Sequence, residues 1–132
     1  MVSAACGPAL VPEETLPPAE SYDVPSNFAG IWVGEADGAA GTLEVEAVSE
    51  GRYHGVYTGD DAEIEYDLEL EQDLVPSGET TIAGNRVTFT WTDGHGGEGQ
   101  GWLLINREDS ALTGALGDRG LMDRSLTFIR VE

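Results

Sequence analysis

The side chains able to do chemistry fall into a few groups. Asp60, Asp61 and Glu63 cluster at one turn, and Asp93, His95 and Glu98 share the stretch Asp93-Gly94-His95-Gly96-Gly97-Glu98-Gly99. Carboxylates gathered on a short loop are what a hard cation takes as ligands, but neither group follows the spacing of a calcium loop. With His54 and His95 as lone histidines and Cys6 as the single cysteine, a zinc set has little to draw on. No metal and no cofactor are therefore expected. Carboxylate pairs are abundant, yet they alternate with apolar residues in a way that turns them outward. There they are hydrated, with no advantage as general acids or bases. No Ser, Thr or Cys stands in a nucleophile setting, so the chain is not expected to be an enzyme.

Binding is the chemistry that remains, and two sets of residues offer it. Tyr57, Tyr66, Phe89, Trp91 and Trp102, with Tyr53 beside them, are the aromatic positions expected to face an interior and to line a site for a small apolar or flat ligand. The same rings can equally be packed core, because a barrel of about eight strands either fills its interior or leaves room for one ligand. The second set is the row Glu63, Glu65, Asp67, Glu69 and Glu71, which could dock a basic protein partner, as in an inhibitor, an immunity factor or an envelope component. Twenty-five acids stand against six bases, a net charge of −19, and every base is arginine. Such a surface repels nucleic acid and anionic lipid, and it also fits simple solubility or a saline setting.

The elements that must position these residues are strands. From Glu63 to Gln72, Ile64, Tyr66, Leu68 and Leu70 alternate with carboxylates and Gln72, a period of two that a helix cannot segregate. The same alternation recurs with Phe28, Gly30, Trp32 and Gly34, with Leu43, Val45 and Ala47, with Tyr53, Gly55 and Tyr57, and with Val87, Phe89 and Trp91. Further strands are expected over 102–106, 112–116 and 126–131. Residues 73–79 read as a loop around Pro76, Ser77 and Gly78. A short strand over 80–83 is then expected to end in a Gly84-Asn85 turn. Seven to nine short strands at hairpin spacing predict an all-β, antiparallel up-and-down meander closing into a small barrel of about eight strands, since closure removes the edges an open sheet would expose, with an open two-sheet sandwich as the alternative the same pattern allows.

Residues 1–27 are expected to be a disordered tether and residues 28–132 the barrel domain. Pro8, Pro12, Pro17, Pro18 and Pro25 with Glu13, Glu14 and Glu20 favour an extended segment that packs no core. Within it, Ser3-Ala4-Ala5-Cys6-Gly7 resembles the end of a bacterial lipoprotein signal, in which small residues precede a cysteine that becomes lipidated. That resemblance implies lipidation at Cys6, an extracytoplasmic address in the cell envelope or as a secreted protein, and membrane contact only through the lipid. Gly30-Ile31-Trp32 near the domain start, with Arg130 on the last strand, resembles the calycin superfamily of lipocalins and avidins. The resemblance implies that Gly30, Trp32 and Arg130 close one end of the barrel, a guanidinium lying on an indole. Gln100-Gly101-Trp102-Leu103-Leu104 is similar to an avidin strand bearing a pocket tryptophan. Glu35 stands where that family has small polar side chains, so biotin is not implied.

Overall fold

A computed structural model describes residues 17–22, 26–36, 38–60, 65–117 and 124–131. The chain forms eight strands: β1 Gly30–Ala36, β2 Ala39–Ser49, β3 Arg52–Gly59, β4 Glu65–Ser77, β5 Thr80–Thr92, β6 Glu98–Ile105, β7 Ala111–Gly117 and β8 Arg124–Arg130. Each pairs antiparallel with the next, and β1 pairs with β8 from Trp32↔Arg130 to Ala36↔Leu126, so the sheet closes as an up-and-down barrel. Among the described residues there is no helix.

Side-chain parity builds the core. Trp32 on β1, Leu43 and Val45 on β2, Tyr53 and Tyr57 on β3, and Leu68 and Leu70 on β4 point inward. So do Val87, Phe89 and Trp91 on β5, Leu103 and Ile105 on β6, Leu112 and Leu116 on β7, and Leu126 and Phe128 on β8. Each such side chain taken fully out of water contributes roughly 1.5–3 kcal/mol before entropy is counted. The seam between β1 and β8 depends on Gly34, where a Cβ would lie 2.7 Å from Phe128 Cα and closer still to the Thr127 carbonyl oxygen.

Three local expectations are corrected. Residues 73–79 are not a loop: β4 runs on to Ser77 and pairs with β5 from Leu74↔Ala83 to Ser77↔Thr80, turning at Gly78, whose φ is +65°. Nor do Gly84 and Asn85 form a turn, because they lie inside β5 opposite a bulge between Gln72 and Leu74. The bulge is stabilised by Gln72, whose Nε2 donates to the Ser26 and Gly84 carbonyls at 3.0 and 2.7 Å while its Oε1 accepts from Tyr53 at 2.9 Å. Ala47 does not face the core but is exposed where β2 bulges before Ser49.

The described part of the expected tether is bound to the barrel. Glu20 and Asn85 exchange backbone and side-chain hydrogen bonds, Glu20 N to Asn85 Oδ1 at 2.7 Å and Asn85 N to Glu20 O at 2.8 Å. Tyr22 donates to the Ile105 carbonyl at 2.8 Å, and Arg86 Nη1 donates to the Pro17 carbonyl at 2.6 Å. Residues 17–22 therefore strap the end that Phe28 plugs, and packing extends N-terminal to residue 28. Cys6, Ile64, Glu63, Asp61 and the stretch 118–123 lie outside the described residues.

Candidate functional site

The two ends of the barrel differ. At the strapped end Trp32 is fully buried, its Nε1 donating to the Phe28 carbonyl at 3.1 Å, and the Arg130 guanidinium lies 4.3 Å from the indole centroid. Arg130 Nε donates to the Asp109 carbonyl at 2.6 Å, and its two terminal nitrogens donate to Ala29 and Asn27 carbonyls, each at 2.7 Å. One planar group thus ties β8, the β6–β7 loop and the segment entering β1. Gly30, with φ +144°, stands at that entry.

At the other end an aromatic cluster fills the mouth. Tyr57 and Tyr66 stack at 6.1 Å, Tyr66 meets Trp91 edge-on at 5.2 Å, and Tyr57 meets Phe128 edge-on at 5.8 Å. Trp91 Nε1 donates to the Gly117 carbonyl at 3.3 Å, and Arg124 lies 5.7 Å from the Trp91 ring. Tyr57 donates to the Ala39 carbonyl at 2.7 Å, and burial pushes its phenol pKa up, as it does that of Tyr53. Four of the five aromatics expected at the interior, Tyr57, Tyr66, Phe89 and Trp91, line this space; Trp102 does not. Its neighbours Gly101 and Leu103 are buried, so parity turns Trp102 to the outer face, half-buried beside Thr88 and Ala115. The apolar run over residues 102–105 has no alternation and hides which face is inward.

The space these rings enclose is about 10 Å³. A single water needs roughly 10–15 Å³ and a small-molecule site roughly 300–1,000 Å³. The interior is filled as it stands, and an interior ligand would have to displace Tyr66 or Trp91.

The larger concavity is outside. A groove of about 500 Å³ runs over the outer face of β4 and β5, lined by the carboxylates Glu69, Glu71 and Asp73, by Arg52 and Arg86, and by Thr88, Thr90 and Gln100. Of the expected acidic row, Glu65, Asp67, Glu69 and Glu71 are all exposed on this wall, and Glu44 and Glu46 on β2 extend it sideways. Some of that charge is already engaged. Arg52 meets Glu71 at 3.3 Å and His54 meets Asp67 at 3.1 Å, both exposed pairs worth little, while the partly buried Arg86–Asp73 pair is closer at 2.6 Å. Among the described residues Glu69 has no cationic partner, and Gln100 Oε1 is buried without a hydrogen-bond donor. Sequence reasoning missed Thr88, Thr90 and Gln100, which the register places across from that row.

The glycine-rich loop is organised around its own backbone. Asp93 Oδ1 accepts from His95 N at 2.8 Å and Gly97 N at 2.9 Å, and these donors hold its carboxyl below the usual range. Among the described residues no group of three or more His, Cys, Asp or Glu side chains is placed to hold a metal ion. Comparison of the chain with known protein families, with curated proteins and with solved structures finds no match.

Proposed function

We propose that this protein is a non-catalytic binding module that docks a basic protein segment on the acidic outer wall of β2 to β5. The observation that carries the reading is the contrast in space: about 500 Å³ in the outer groove against about 10 Å³ inside. What the groove lacks is consistent with its partner's chemistry. Glu69 is exposed and, among the described residues, without a cation, which an arginine or lysine side chain would supply. Steering by a net charge of −19 favours encounter with a cationic partner. The Trp32–Arg130 stack supports a calycin-type barrel, here with its interior given over to packing. Under this reading a lipid on Cys6 would hold the module at the outside of a membrane, which intact mass spectrometry of native protein tests.

The binding test uses a fluorescent arginine- and lysine-rich peptide and anisotropy at rising salt. Affinity should fall steeply with ionic strength. Replacing Glu65, Asp67 and Glu69 together by the neutral amides should weaken binding by about tenfold or more. The matched control neutralises Glu20, Glu35 and Glu108, none of which is on β2 to β5. If both triple variants lose affinity equally, only net charge is at work and the proposed site is wrong.

A further inference from the structure

Of the three tryptophans, two carry an arginine of the chain and one does not. The Arg130 guanidinium lies 4.3 Å from the Trp32 ring and that of Arg124 5.7 Å from the Trp91 ring, and both indoles donate their N–H to a carbonyl. Trp102, half-buried on the outer face, has no ring, cation or hydrogen-bond acceptor against it among the described residues. The described arginines are all engaged elsewhere: Arg52 with Glu71, Arg86 with Asp73, Arg107 over Tyr22, and the other two over their indoles. Trp102 also stands at the rim of the acidic groove. It pairs with Thr88 and lies two residues beyond Gln100 on the same face of β6, and both of those residues line the groove. Thr88 pairs in turn with Glu71, and Gln100 with Thr90, which faces Glu69. Carboxylate, hydroxyl and indole thus follow one another across three adjacent strands.

We infer that Trp102 is the aromatic anchor of the docking site and that the side chain it takes is an arginine of the partner. This rests on the reading of the acidic wall as the site of a basic segment, and it names the residue type the wall selects. Carboxylates alone hold lysine and arginine alike as cations. An indole discriminates between them, because a planar guanidinium is weakly hydrated and stacks on an aromatic face, whereas an ammonium is compact and strongly hydrated. A stacked guanidinium also keeps its N–H donors at the edge of its plane, where hydroxyl and carboxylate oxygens can accept them. An apolar occupant would instead take Glu69 out of water with no cation beside it, which costs free energy. Tryptophan and arginine are the residue types that most often dominate such contacts.

The test compares an all-arginine with an all-lysine peptide of equal length by anisotropy, on the parent chain and on Trp102→Leu. The parent should bind the arginine peptide more tightly. Trp102→Leu should weaken arginine binding by about two- to fivefold and leave lysine binding, and the fall of both affinities with salt, nearly unchanged. Trp102→Phe keeps an aromatic face and should keep the preference for arginine. In two-dimensional NMR, the indole N–H signal that Trp102→Leu lacks should shift when arginine peptide is added to the parent. The other two indole signals should stay in place in parent and variants, which reports that the barrel is intact. A parent that binds both peptides equally, or a preference that Trp102→Leu leaves whole, overturns the inference and leaves the acidic-wall reading standing. A parent that binds neither peptide overturns both.

Discussion

Arg130 is the residue whose removal tests the barrel's construction most directly. Its guanidinium lies 4.3 Å from the Trp32 centroid and donates to the carbonyls of Asp109, Ala29 and Asn27 at 2.6–2.7 Å. Hydrogen bonds to a charged group contribute about 1.5–3 kcal/mol each, and a cation over an indole about 0.5–2 kcal/mol. These terms are not additive here. They share one side chain, and Asn27 is exposed, so water can replace its bond. Arg130→Met, which keeps the packing stem, should therefore cost about 3–4 kcal/mol, a large part of a typical stability of about 5–15 kcal/mol. At roughly 4 °C per kcal/mol for a domain of this size, the melting temperature should fall by about 12–16 °C. Arg130→Lys keeps the charge over Trp32, but a single nitrogen cannot span carbonyls on both sides of the seam. It should recover less than half of the loss. Urea unfolding followed by tryptophan fluorescence, with the slope held common, measures both. A Lys variant within about 0.5 kcal/mol of the parent would show that the planar fork is irrelevant. A Met variant costing under about 1 kcal/mol would reduce Arg130 to an ordinary surface residue.

Gly34→Ala should open the β1–β8 seam, because the added Cβ meets backbone atoms of Thr127 and Phe128 that cannot swing aside. A loss of about 3 kcal/mol or more is expected in urea, with amide exchange rising first in those two strands. Trp91→Ala should cost about 3–5 kcal/mol as a buried truncation, whereas Trp102→Ala on the outer face should cost well under half as much; equal losses would contradict the parity assigned to β6. The Asp93 carboxyl is held below its ordinary range, so its ordering of the loop is fully present above the ordinary carboxylate pKa and is lost as pH falls through the lowered value. Amide shifts of His95 and Gly97 should report that midpoint, and Asp93→Asn should abolish it. Finally, raising salt from ~0.01 to ~1 M shortens the Debye length from about 30 to 3 Å and should raise the melting temperature by relieving repulsion along Glu65, Asp67, Glu69 and Glu71. A fall would mean that the ion pairs with Arg52 and His54 outweigh that repulsion.

Strand parity made most of the wall legible in advance. Wherever apolar and polar residues alternate strictly, as in residues 42–46 of β2, the first half of β4 and the second half of β5, the inward set follows directly from the period of two. Legibility ended where that period broke. Pro76, Ser77 and Gly78 look like a loop because proline cannot donate to a ladder, yet Pro76 lies in a hairpin extended beyond the barrel wall, pairing with Thr81. Gly84 and Asn85 look like a turn because of their types. They are held in β5 by long-range bonds from Gln72 and to Glu20 and Tyr22, partners that no local window contains. The outer groove was half visible: its acidic row announces itself, while Thr88, Thr90 and Gln100 join it only through register.

That register also decides why the interior is filled, and here the sequence carries a signal that composition conceals. Six aromatic side chains among the candidate interior positions suggest a ligand-sized space if each ring is imagined projecting toward an empty centre. In the barrel the rings lie instead across glycines of neighbouring strands. Phe89 pairs directly with Gly101 and Trp91 with Gly99, while Tyr57 covers Gly41. A Cβ at Gly99 would come within 2.7 Å of Trp91 Nε1, so the missing side chain is the room the indole occupies. Aromatic residues set opposite glycines are a recognised way of tiling a curved sheet. Once the hairpin is centred near His95, Phe89 and Trp91 fall opposite Gly101 and Gly99 in the sequence itself. Rings and glycines that match in this way close an interior, and recognition must then be sought on the wall.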